Sequence, residues 1–164
     1  MGATILLAVD TARHQPGRHV SAAVEMVMDL AAKTGDAVVV LHVHEFAVGR
    51  FGRLQVDCAE GDGEKLVADV VAELRLAGVA AEGEIRQADF GHVARAILAA
   101  AHDHDARMLV LGSSTRTDLP SVTFGSVAAR LLHLSARPVL IVPMQPVEHE
   151  HAEAHVQAQA VPAK

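Results

Sequence analysis

The chain has 164 residues, enough for one domain with a sizeable core. It is 51% hydrophobic but only 2% aromatic, with no Trp or Tyr, so Ala, Val, Leu and Ile must build the interior. A net charge of −6 without a basic block argues against nucleic-acid binding, a single cysteine excludes an internal disulfide, and no apolar run approaches the ~18 residues of a membrane span.

Residues 4–9 (TILLAV) form a continuous apolar run, the pattern of a strand buried on both faces of a parallel sheet. Residues 18–34 follow with helical spacing (Val20, Ala23, Val24, Val27, Met28, Ala31), and Gly35 is a natural stop. A second buried strand covers 37–43 (AVVVLHV). Segment 45–63 carries Gly49, Gly52, Gly61 and Gly63 and reads as a long loop, with Arg50 and Arg53 placed to act as a lid or to sit in solvent. A helix over 64–77, a weaker edge strand over 79–87 and a helix over 91–104 come next. The run His102-Asp103-His104-Asp105 closes that helix as a solvated terminus, with both histidines favourable against the helix dipole when protonated. Strand 107–111, helix 125–136 and strand 138–142 complete an alternating β-α order. The expected fold is therefore α/β, an open five-stranded parallel sheet with helices on both faces. The polar, His-rich tail lacks a core pattern, so a domain over 1–146 and a disordered tail over 147–164 are expected. His149, His151 and His155 give that tail some capacity to hold metal weakly.

No basic, apolar and cleavable leader opens the chain, so a cytoplasmic location is expected, with no membrane association. There is no Walker loop, no glycine-rich dinucleotide fingerprint after the first strand, no receiver-domain acidic set and no nucleophile elbow.

The segment from Met108 to Pro143 carries the sharpest signal. An apolar strand ends at Gly112, a polar loop follows, and Gly125-Ser126 opens a helix whose free N–H groups and dipole suit a phosphate. Two residues separate Gly112 from Thr115, and nine separate Thr115 from Gly125-Ser126. With ILLAVD at the start and VVVLHV in the middle, this pattern resembles the universal stress protein family over about residues 3–143. The ATP-binding branch of that family has glycine, two residues, glycine, nine residues, then Gly-Ser or Gly-Thr. The chain matches except at the second glycine, where Thr115 stands. A β-branched residue forced to positive φ there costs ~1–3 kcal/mol of strain.

The resemblance implies a Rossmann-like, adenine-nucleotide alpha-hydrolase-like fold with strand order 3-2-1-4-5. Its ligand crevice then lies between the first and fourth strands, where the order reverses. It implies that Asp10 and the backbone of Val43 hold an adenosine, and that Gly112, Thr115, Gly125 and Ser126 hold phosphates. The ligand is ATP or another adenine nucleotide, with Mg²⁺ bridging phosphate oxygens. Within the polar loop, Arg116 can neutralise phosphate charge, whereas Asp118 repels it unless a metal ion intervenes. The role implied is a stress-response binding module or switch, homodimeric through strand 138–142, and not a dedicated catalyst; slow ATP hydrolysis fits the family. The alternative is a family member that binds no nucleotide and acts through dimer and protein contacts. An enzyme using the same crevice, a nucleotide hydrolase or transferase, is a third reading.

Each site residue also has a plainer role. Asp10 can cap the following helix, Gly112 can serve a strand-end turn, and Ser126 can cap its own helix. His42 reads as a hydrogen-bonded core histidine, although strand alternation puts His42 and His44 on one face, where they could share a metal. Cys58 reads as an ordinary loop cysteine or as a reactive thiol. No residue is assigned as catalytic or as a metal ligand.

Overall fold

Continuous apolar strands need cover on both faces, and in the computed structural model of the chain helices supply it. The structure describes residues 2–11, 21–50, 52–112 and 125–143. Six strands and four helices follow in the order β1 (Thr4–Ala8), α1 (Ala22–Thr34), β2 (Ala37–Gly49), β3 (Gly52–Gln55), α2 (Asp62–Leu76), β4 (Ala81–Asp89), α3 (Val93–Asp103), β5 (Ala106–Gly112), α4 (Ser126–Leu134) and β6 (Val139–Val142). Five strands run parallel in the order β4-β2-β1-β5-β6, which is the expected 3-2-1-4-5 arrangement.

Alternation along the strands sorts the core into two layers. Ile5, Leu7, Val38 and Val40 face α1 and α2, where Val24, Val27, Leu66, Val70 and Leu74 meet them. Leu6, Val39, Leu41 and Val43 face α3 and α4, against Ile97, Ala101 and Leu131. Among the described residues no helix is long and apolar enough to cross a membrane.

The structure departs from the sequence reading mainly over residues 45–63. Most of that segment is ordered structure, because β2 continues to Gly49 and turns back through β3 as an antiparallel hairpin. Phe46 pairs with Gln55 on one side and with Asp89 on the other, so β3 lies on the β1 side of β2, beyond the end of β1. Arg53 is no lid. Its guanidinium stacks over the Phe46 ring at 4.4 Å and binds Gln87 and Asp89 of β4, each at 3.1 Å. Helix α1 starts at Ala22 rather than at residue 18, because Ser21, in extended conformation, caps it by accepting from the Val24 N–H. The His102–Asp105 terminus is less solvated than expected: His104 binds Glu84 at 2.7 Å, and Arg86 joins Glu84 to Asp103, fastening α3 to β4. The tail 147–164 lies outside the described residues.

Asp36 joins three elements. Its carboxylate accepts from Ala3 N–H at 2.8 Å and from the Thr34 hydroxyl at 2.7 Å, and it pairs with Arg107. The Thr34 hydroxyl, aided by Ala3 and Arg107 and opposed by burial, holds its carboxyl below the usual aspartate range. A depressed carboxyl pKa contributes stability that is present above the unfolded pKa and lost as pH falls through the folded one. Asp36→Asn is therefore expected to lower the urea midpoint at neutral pH and to flatten its decline on acidification, read from unfolding curves between neutral pH and about pH 3.

Candidate functional site

The strand order reverses between β1 and β5, and the sequence-derived site residues in the described part of the chain gather at the carboxyl ends flanking that point. Asp10 is exposed, two residues past the end of β1. It does not cap α1, since Ser21 does. Gly112 ends β5 opposite Val142, and a Cβ added there would meet no described atom within 4 Å. It does not use positive φ; its value is the open space above it.

Gly125 is the N-cap of α4 with φ −54° and ψ 156°, and as a glycine it offers no side-chain cap. Ser126 is the first helical residue and exposed, so it does not cap its own helix. The leading N–H groups of α4 consequently have no side-chain partner among the described residues, and they present the positive end of the helix dipole. Thr115, Arg116 and Asp118 lie outside the described residues.

Val43 occupies a gap in the sheet. The N–H of Val38 bonds toward β4, so alternation directs the N–H and C=O of Val43 toward the β1 side. The β1–β2 ladder ends with Val9 N–H to Leu41 C=O at 2.9 Å. The hairpin contact begins with Val56 N–H to Glu45 C=O at 2.8 Å. Between these bonds, the Val43 peptide groups make no backbone hydrogen bond among the described residues. A donor and an acceptor thus sit side by side, bounded by the end of β1 and by β3.

A second constellation lies on the other face of β2. His42 and His44 project toward α2 and are 3% and 5% exposed. The turn after β3 brings Asp57 and Cys58 against them. Asp57 Oδ2 is 3.1 Å from His42 Nε2, from His44 Nδ1 and from Cys58 Sγ, while Asp57 Oδ1 accepts from Glu45 N–H. The outward nitrogens are held too: His42 Nδ1 is 3.0 Å from the Val9 carbonyl and His44 Nε2 is 3.1 Å from Glu64 Oε1. Gln55 Nε2 approaches His44 Nδ1 at 2.9 Å and Cys58 Sγ at 3.4 Å. Burial opposes charge on Asp57, but hydrogen bonds from Cys58, His44 and backbone amides hold its pKa down to about 2. Burial likewise opposes charge on His44, yet Glu64 and Asp57 raise its pKa. Burial and Asp57 push the Cys58 thiol up.

Sequence reasoning had half of this cluster. The His-x-His alternation was visible, but Asp57 and Cys58 fell in a segment read as loop, and only the β3 hairpin brings them back to β2. Their spacing from the histidines matches no short motif.

The parallel sheet, with its order reversing between β1 and β5, defines a doubly wound α/β protein. A sequence model of the Universal stress protein family matches residues 1–143, and the chain belongs to that family. No curated protein matches it significantly. Solved structures are similar in fold. The universal stress protein from Archaeoglobus fulgidus in complex with dAMP shares 21% identity over 85% of this chain and 97% of that one, with a TM-score of 0.61. A universal stress protein in complex with cAMP shares 17% identity over 88% and 98% of the two chains, TM-score 0.62. A family protein from Arabidopsis thaliana with AMP bound shares 18% identity over 89% and 94%, TM-score 0.58.

The histidine rings leave no room on α2. A Cβ on Gly63 would lie 2.6 Å from His44 Cε1 and closer still to His42. Alanine gains ~1 kcal/mol over glycine inside a helix, whereas overpacking costs about 1–3 kcal/mol. Gly63→Ala is expected to destabilise the fold on balance, by about 1 kcal/mol, measured by chemical denaturation; a gain in stability would mean the rings yield freely.

Proposed function

We propose that this chain is a stress-response binding module that holds an adenine nucleotide, with ATP the first candidate, in the crevice between the ends of β1 and β5. The observation that carries the reading is the pair of Val43 peptide groups, which make no backbone hydrogen bond among the described residues. An adenine edge offers an amino donor beside a ring-nitrogen acceptor, the complement of a C=O beside an N–H. The crevice supports the rest. Asp10 can accept from a ribose hydroxyl. Gly112 and Gly125 allow close approach of phosphates, and the α4 N-terminus with the Ser126 hydroxyl donates to them. Thr115 completes the proposed phosphate loop with its hydroxyl, and Mg²⁺ shields the phosphate charge. The dAMP, cAMP and AMP complexes of relatives support the same ligand class.

The reading is that of a cytoplasmic binder or switch, and slow hydrolysis is compatible with it. One feature favours a member without nucleotide: Thr115 replaces the second glycine of the ATP-binding pattern.

Mass spectrometry of nucleotide released from freshly purified protein, followed by calorimetry with ATP, ADP, AMP and cyclic AMP with and without Mg²⁺, tests the reading. Binding of one nucleotide per chain is expected, with Gly125→Val and Asp10→Ala each weakening it about tenfold or more, that is by ~1.4 kcal/mol or more. Neither release nor heat from folded protein would leave the non-nucleotide member as the answer.

We also infer a homodimer through β6, the outer strand of its side of the sheet, which pairs with β5 alone and keeps Val139, Leu140 and Ile141 partly exposed. Light scattering is expected to give twice the chain mass for the wild type and a lower mass for Ile141→Lys. An unchanged mass in that variant would place the interface elsewhere.

A further inference from the structure

The cluster on β2 has the composition and shape of a metal centre. We propose that His42 Nε2, His44 Nδ1, Asp57 Oδ2 and Cys58 Sγ form a four-coordinate site for a divalent metal ion, with Zn²⁺ preferred. The proposal is independent of the nucleotide reading.

Geometry is the first argument. All four atoms lie within 4.8 Å of one another. Three separations are 3.1 Å, and Cys58 Sγ lies 3.9 Å from His42 Nε2 and 3.8 Å from His44 Nδ1. A tetrahedron with metal–nitrogen and metal–oxygen bonds near 2.0–2.1 Å and a metal–sulfur bond near 2.3 Å has edges of about 3.3–3.6 Å. Small ring rotations bring the set to that shape.

The count of hydrogens is the second argument. The outward ring nitrogens face a carbonyl and a carboxylate, which only accept, so those nitrogens carry the hydrogens. While the rings are neutral the inward nitrogens are lone pairs aimed at one carboxylate oxygen; His44 donates from Nδ1 to Asp57 only as an imidazolium, a proton that a metal ion displaces. The hydrogens then available among them are those of the Cys58 thiol, the Gln55 amide and the buried Thr11 hydroxyl beside Cys58. A cation at the centre turns these opposed acceptors into ligands. The Cys58 thiol proton leaves to solvent as the metal–thiolate bond forms. Gln55 is already placed to donate to the resulting thiolate.

Charge is the third argument. Two anionic ligands and two neutral imidazoles balance a divalent ion, so the buried site carries no net charge. Thiolate with imidazole selects Zn²⁺ over harder ions, and Val9 and Glu64 supply the outer hydrogen bonds that orient metal-bound histidines. With all four positions filled by protein, the site is structural: it clips the 57–58 turn, and with it the β3 hairpin, onto β2.

The test uses the full chain, stripped by chelator under reducing conditions and titrated anaerobically with Co²⁺. The expected result is one equivalent bound, with a thiolate-to-cobalt charge-transfer band and the intense visible bands of tetrahedral Co²⁺, all bleached by one equivalent of Zn²⁺. Cys58→Ser is expected to abolish the charge-transfer band, and His42→Gln to weaken Co²⁺ binding about tenfold or more. Replacing His149, His151 and His155 together by Gln is expected to change nothing. Zn²⁺ should also slow alkylation of Cys58 in the wild type, a readout that needs no variant. The proposal is overturned if wild-type protein gives no charge-transfer band, if the band survives Cys58→Ser, or if binding disappears with the tail histidines.

Discussion

Two-sided burial of the central strands is the constraint on which this structure depends. β1, β2 and β5 carry apolar residues at consecutive positions, and such strands are stable only between two layers of helices. Helical crossovers bring the five parallel strands into the sheet in the same direction, with β3 alone among the described strands antiparallel. The carboxyl ends, and the loops that leave them, therefore collect on one edge. The crevice at the reversal between β1 and β5 follows from that packing.

Within this frame β2 has two further duties. Alternate residues present different groups in different directions, so neighbouring positions can serve separate sites. Val43 turns its peptide groups into the gap beyond β1 while its side chain packs against α3 and α4. His42 and His44, one residue to either side, point to the opposite layer and meet Asp57, Cys58 and Glu64. The two sites touch through Val9, whose N–H closes the β1–β2 ladder and whose carbonyl orients His42. The proposed nucleotide contact and the proposed metal centre are thus built on the same three residues of one strand, on opposite faces.

Hydrogen-bond accounting distinguishes the two helix starts that matter here. Ser21 gives α1 an ordinary cap, and that end of the helix needs nothing more. Gly125 gives α4 none, so its leading N–H groups have no side-chain cap among the described residues. α2 and α3 also start without a side-chain cap, so what sets α4 apart is its place after β5 at the switch point.

The sequence by itself determined the elements whose signals are local. Runs such as TILLA and VVVLHV, helical spacing in α2 and α3, and Gly112 and Gly125-Ser126 flanking the polar loop were enough for the parallel α/β order. Those signals follow from residues a few positions apart, where strand and helix periods act directly. Only the tertiary structure decided the fate of residues 45–63. Glycines at 49, 52, 61 and 63 interrupt any period in that stretch, so its hairpin depends on β2 offering an unpaired side beyond the end of β1. The placement of half-buried Cys58 beside two histidines depends on that hairpin in turn. Arg53 looked free in sequence because the Phe46 ring and the Asp89 carboxylate that hold it come from two other strands. Contacts between residues distant in the chain are set by the packing of whole elements, and no local pattern encodes them.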